Sequence, residues 1–130
     1  MLNWLFSRPA RFVESAAYQA NLENQLKMTP MTLSQLADLG VTSDRNLKLE
    51  FFFYTNAETK ARALQKYLLS LGYEATTDVS ASDRKQRVIT GWTSPMRMSV
   101  DVVTAWTRQM CEKGLEHDCE FDGWGTTPAQ

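Results

Sequence analysis

Hydrophobic positions along the 130-residue chain change period several times, and each change marks an element. From Leu47 to Tyr54 the period is two: Leu47, Leu49, Phe51 and Phe53 fall on one side, Lys48, Glu50, Phe52 and Tyr54 on the other. That alternation predicts a half-buried strand. The period then lengthens. Ala57, Ala61, Leu64, Leu68 and Leu71 share one helical stripe, and Gly72 is placed to terminate it. Thr55-x-x-Glu58 has the spacing of a capping box at the start of this helix. Tyr73 to Val79 alternates again, Ser80 to Asp83 is turn chemistry, and Arg87 to Thr93 reads as a third strand. Ser99 is an N-cap for a helix with Val103, Trp106 and Met110 on one face, and Glu120 to Trp124 has room only for a last strand.

Ahead of this run, Val13, Ala16, Ala17 and Ala20 fall at helical spacing within Pro9 to Lys27, with Tyr18, Leu22 and Leu26 beside them. The opposite face is rich in Gln and Asn rather than charge. Thr29-Pro30 predicts a break, with Thr29 as N-cap and Pro30 opening a second short helix through Leu33, Leu36 and Ala37 to Gly40. After residue 46 the order is strand, helix, strand, strand, helix, strand. This predicts an α+β fold, a ferredoxin-like split β-α-β sandwich with an antiparallel sheet and both helices on one face. One or two helices precede it. The chain divides into an N-terminal helical extension, residues 1–30, and a domain over 31–130, its core face Leu49, Phe51 and Phe53 covered by Leu64, Leu68, Val103 and Met110.

Composition narrows the picture only a little. A 43% hydrophobic share with 22% charged residues fits one globular domain, and a formal charge of −1 disfavours a dedicated nucleic-acid binder. No run approaches the roughly 20 apolar residues of a membrane span. Met1 to Phe6 lacks the form of a signal peptide, and two cysteines, Cys111 and Cys119, suit a reducing cytosol, so a cytoplasmic protein is expected. Trp4, Leu5, Phe6 and Phe12 beside Arg8 and Arg11 could form an interfacial anchor, against the plainer readings of a helix end on its own core or a partner contact.

Candidate chemistry is sparse. His117 is the sole histidine and lies between Cys111 and Cys119, which raises a thiol–imidazole pair or a metal site. The spacing matches no zinc pattern and leaves a fourth ligand unaccounted for, so no catalytic residue, metal, cofactor or small-molecule substrate is assigned. Gly123 and Gly125 are followed by no helix that could hold a phosphate. Charge is polarised: Arg84, Lys85, Arg87 and Arg97 against Asp83 give +3 over residues 83–97, while Glu112, Glu116, Asp118, Glu120 and Asp122 against Lys113 give −4 over 112–122. The basic hairpin with Trp92 could touch RNA. A polarised surface fits a protein partner better, because it steers docking.

The most informative segment is Glu120-Phe121-Asp122-Gly123-Trp124-Gly125-Thr126, a chain reversal anchored by one large ring. Trp124 either locks the core at a strand end or anchors a partner. This segment resembles the terminal signature of the RraB family, regulators of ribonuclease E. Leu71-Gly72-Tyr73-Glu74 and Leu33-x-x-Leu36 ahead of Gly40 also fit the family, and the likeness covers roughly residues 31–126. The resemblance implies a non-enzymatic protein that binds ribonuclease E and lowers RNA cleavage. The near-neutral charge departs from the strongly acidic members with a long acidic tail. A docking surface is expected around Asp122, Gly123, Trp124 and Gly125, with Glu116, Asp118 and Glu120 nearby. The runner-up, an immunity or antitoxin-type protein, also needs only a docking face; a third, less favoured reading is direct RNA binding through Arg84, Lys85 and Arg87.

Overall fold

The alternation that begins at Leu47 resolves into two strands in the computed structural model of the chain, which describes residues 10–130. Of the residues read as an interfacial anchor, Trp4, Leu5, Phe6 and Arg8 lie outside the described residues. β1 (Asn46–Leu47) pairs with β5 (Met96–Arg97) in a small antiparallel sheet, whereas β2 (Glu50–Thr55) enters the main one. Between them, the Leu49 amide donates to the Thr93 hydroxyl (2.9 Å) and the Thr93 amide donates to the Leu49 carbonyl (2.8 Å). The chain thus steps between sheets with its backbone satisfied. Inward parity survives the step: Leu47, Leu49, Phe51 and Phe53 are all fully buried.

The main sheet has the order β3 (Glu74–Val79), β4 (Arg87–Trp92), β2, β6 (Glu120–Gly125), every neighbouring pair antiparallel. With α1 (Ser15–Asp38), α2 (Glu58–Ser70) and α3 (Val100–Glu116), the described residues form an α+β domain of three helices and antiparallel sheets. Leu64 and Leu68 of α2 and Val103 and Met110 of α3 join Leu49, Phe51, Phe53, Ile89 and Phe121 in one core, as the apolar stripes require. Fully burying each Leu or Phe contributes roughly 1.5–3 kcal/mol. Ser99 caps α3, its hydroxyl accepting from the Val102 amide at 3.3 Å.

Two further expectations need correction. Thr29-Pro30 does not break the chain: α1 is one continuous helix of 24 residues with Pro30 inside it. A proline there removes a donor and costs roughly 3 kcal/mol. The loss is offset by what the continuous helix places: Leu33 and Leu36 in the core, and Thr29, 1% exposed, against α3. Nor does Thr55-x-x-Glu58 form a capping box. Thr55 ends β2 with its buried hydroxyl donating to the Asp118 carbonyl (2.8 Å), and Ala57 occupies the N-cap without a side-chain bond. Glu58 turns outward to Arg62 (2.7 Å) and Arg87 (3.4 Å). A buried hydroxyl at a strand end takes the acceptor that lies beside it, because leaving it unpaired costs more than an uncapped, solvated helix start.

Candidate functional site

Strand β6, which carries the C-terminal signature, lies at one edge of the main sheet and pairs with β2. Its register shifts: Phe53 faces Phe121, but Phe52 faces Gly123, so Asp122 is the extra residue of a β-bulge. Gly123 takes φ +133, a region open to glycine and strained for other residues. The extra residue also changes parity, so Phe121 and Trp124 both turn inward although they are three apart. Phe121 packs on Phe53 (ring centroids 5.1 Å) and on Trp106 (6.0 Å). Trp124 is half-buried, edge-on to Trp106 at 6.5 Å, and its indole N–H donates to the Thr29 hydroxyl at 3.0 Å. Thr29 donates onward to Thr107 (2.9 Å), whose hydroxyl donates to the Val103 carbonyl (2.8 Å). In that order every hydrogen is used, and the chain ties β6 to α1 and α3.

The side of α1 that meets β6 is polar. Asn21, Gln25 and Thr29 are spaced four apart on one helical face. The Asn21 amide donates to the Phe121 carbonyl (2.8 Å) and Gln25, 5% exposed, donates to Asn21 (3.4 Å). Part of the Gln- and Asn-rich surface of the helix, Asn21 and Gln25, is therefore a docking face within the fold, while Gln19 and Asn24 are exposed. Uncharged amides and a hydroxyl at i, i+4 and i+8 were the available signal.

Asp118 has a different task. All three helices end with the same pair of bonds, the residue after the C-cap lying in the left-handed region. Gly40 and Gly72 fill that position after α1 and α2, at φ 90 and 82; after α3 it is Asp118, at φ 54. Its amide reaches the Leu115 carbonyl (3.0 Å) and the Cys119 amide the Gly114 carbonyl (2.7 Å). The buried carboxylate accepts from the amides of Phe12 (2.7 Å) and Val13 (2.8 Å) and pairs with Lys60 (2.6 Å) and Arg11 (3.3 Å). Burial pushes this carboxyl up, but the Lys60 ammonium and the two amides outweigh it and hold it below the ordinary carboxylate range. Asp118 clamps the segment before α1 onto the rest of the domain.

The residues expected at a docking surface therefore occupy several places. Asp118 is inside, Glu116 is exposed and paired with Lys113 (3.1 Å), and Trp124 faces inward. Glu120 and Asp122 stand on the other side of the sheet, with Gly123 and Gly125 in the same strand. The thiols of Cys111 and Cys119 are buried and each pushed up to about 12, chiefly by desolvation. His117 Nδ1 donates to the Lys113 carbonyl at 2.9 Å. Among the described residues no three His, Cys, Asp or Glu side chains group as metal ligands.

Among the described residues, the side of the sheet opposite the core is left open, bordered at β6 by α1, where Gln25, Met28 and Thr32 share a cleft with Phe52 and Asp122. Cross-strand partners share a face, so the register defines rows across it. Glu74, Trp92, Glu50 and Gly125 form one row; Thr76, Thr90, Phe52 and Gly123 the next; Asp78, Val88, Tyr54 and Glu120 the third. Trp92 thus sits between two carboxylates rather than with the basic hairpin, whose Arg87 pairs with Glu58. Clefts open at both ends: one of about 370 Å³ by Tyr54, Phe12, Glu120 and Asp122, and one of about 320 Å³ by Trp92, Glu50 and Glu74. Burial raises the Glu120 carboxyl, with help from the Asp122 charge, and burial raises Asp122 as well. Neither makes an ion pair among the described residues.

The family model for RraB, regulator of ribonuclease activity B, matches residues 27–126, from the second half of α1 through the whole of β6. The chain belongs to the RraB family. A curated relative from Xenorhabdus nematophila named Regulator of ribonuclease activity B is 25% identical over 107 residues, which cover 81% of this chain and 76% of the relative. The resemblance read from the C-terminal signature is borne out. No helix among the described residues is long and apolar enough to cross a membrane.

Proposed function

We propose that this RraB-family chain is a non-catalytic cytoplasmic regulator that binds ribonuclease E and lowers its cleavage of RNA. The family match over residues 27–126 is the observation that carries the reading. Regulation of this kind needs a shaped, charged surface rather than a reacting group. The open sheet face supplies one, with Glu120 and Asp122 of the signature at its rim. The order β3-β4-β2-β6 supports assigning the domain to the split β-α-β sandwich. Purified ribonuclease E immobilised on beads should retain the chain, and micromolar chain should slow cleavage of a fluorogenic RNA. Absence of both retention and slowing overturns the reading.

A further inference from the structure

We propose that the open face of the main sheet docks an extended segment of a protein partner carrying two arginines four residues apart. The inference rests on the reading of the chain as a docking regulator and names the chemistry of what it docks. Three aromatic side chains, Phe52, Tyr54 and Trp92, stand in the middle of this face, all partly exposed on central strands. Soluble sheets usually keep such a face polar or covered. Glu50 flanks Trp92 in one row, Glu120 flanks Tyr54 two rows away, and Asp122 leaves the bulge beside them. None of these carboxylates has a cationic partner among the described residues, although five ion pairs form elsewhere.

A face of rings bordered by unpaired carboxylates is complementary to the guanidinium group. Its plane stacks on aromatic faces while its N–H fork meets a carboxylate in two bonds, and lysine offers neither geometry. The same charges repel phosphates, so a nucleic-acid strand is the wrong occupant for these rings. The spacing follows from the strands. The acidic clefts lie at the first and third rows, four residues apart along β2, which is about 13–14 Å at about 3.3–3.4 Å per residue. In an extended ligand, residues i and i+4 point the same way across that distance.

The test uses the full chain and a fluorescein-labelled Thr-Arg-Thr-Val-Thr-Arg-Thr peptide, followed by anisotropy in low salt. Saturable binding is expected, weakened at least tenfold by the Glu120→Gln/Asp122→Asn pair and severalfold when lysine replaces both arginines. Circular dichroism of the variant checks that its fold is intact, and Glu50→Gln gives an independent loss at the other cleft. Equal binding by all variants, or no saturable binding, overturns the proposal. So does tighter binding of a ten-nucleotide oligo(U), displacement of the peptide by a synthetic copy of residues 1–9, or self-association abolished by the same substitutions. Retention of ribonuclease E is measured in parallel. If the Glu120→Gln/Asp122→Asn chain is still retained, the face is wrong while the regulatory reading stands. Peptide binding without retention of ribonuclease E removes that enzyme as partner and leaves the face.

Discussion

Replacing Asp118 by Asn tests whether one buried charge holds the start of the described chain to the domain. Asn tolerates the left-handed conformation at φ 54, so the helix end is preserved while the carboxylate is removed. Three interactions change. The pair with Lys60, whose side chain is 17% exposed, is lost, and so is the weak pair with the exposed Arg11. One carbonyl oxygen replaces two carboxylate oxygens, so one of the Phe12 and Val13 amides loses its acceptor. Breaking a buried pair costs about 3–5 kcal/mol, but Lys60 keeps Asn56 Oδ1 (2.8 Å) and the Ala10 carbonyl (2.9 Å), which places the cost near 3 kcal/mol. For a domain of this size that is a fall of about 10 °C in Tm. The pH profile supplies the sign. The folded carboxyl lies below its unfolded value, so its contribution is full above about pH 4, near the unfolded pKa, and is lost as pH falls through the folded value. Urea titrations of both proteins at pH 7 and at successively lower pH should show a gap near 3 kcal/mol that narrows below about pH 4. A gap near zero at pH 7, or one that stays constant into acid, would refute the argument.

Other substitutions separate fold from surface. A Cβ at Gly91 would lie 1.8 Å from the Glu74 carbonyl oxygen and 2.6 Å from its carbon, so Gly91→Ala must push β3 off β4 and should cost at least about 3 kcal/mol by urea unfolding. Trp124→Phe keeps a ring but removes the donor to Thr29 and should cost about 1 kcal/mol; Trp124→Ala should cost about 3 kcal/mol, with binding reduced only as a consequence. Asp122→Asn should leave stability at pH 7 unchanged or slightly raised. Burial lifts the folded carboxyl above its unfolded value, so ionisation opposes folding at high pH; the advantage of Asn shrinks as pH falls below the folded value and vanishes below the unfolded one.

What the sequence discloses depends on how local the cause is. The two-residue alternation at Leu47–Phe53 and the stripe Ala61, Leu64, Leu68 are legible because burial on one face dictates them. Gly40 and Gly72 are legible as stops because the left-handed position after a helix selects glycine. Asp118 fills the same position after α3 without that signature, since its carboxylate is selected by partners more than fifty residues away. Pro30 gives a strong local signal to break, and it loses to the Trp124–Thr29–Thr107 chain, whose members are distant in sequence. The open face was half legible: Glu50, Phe52 and Tyr54 announce their common side, but that Trp92 and Glu120 share it follows from the register of β4 and β6.

The signature itself does two things, and Gly123 is where they are joined. A regular strand would place Phe121 and Trp124 on opposite faces, because side chains alternate. The bulge at Asp122 lets both enter the core side while Glu120 and Asp122 face out. Any residue other than glycine at φ +133 is strained, by about 1–3 kcal/mol. Gly123→Ala then has two outcomes available to the chain. It can keep the bulge and accept that loss, or straighten the strand, turn Trp124 outward and break its bond to Thr29. Space does not oppose the change, since the nearest atoms to an added Cβ are those of the Gln25 amide at 3.8 and 3.9 Å. Backbone strain is therefore the only penalty, and the expected result is a loss of about 1–3 kcal/mol or a Trp124 indole proton that exchanges rapidly with solvent. A variant of unchanged stability whose indole proton stays protected would show that the bulge does not depend on glycine.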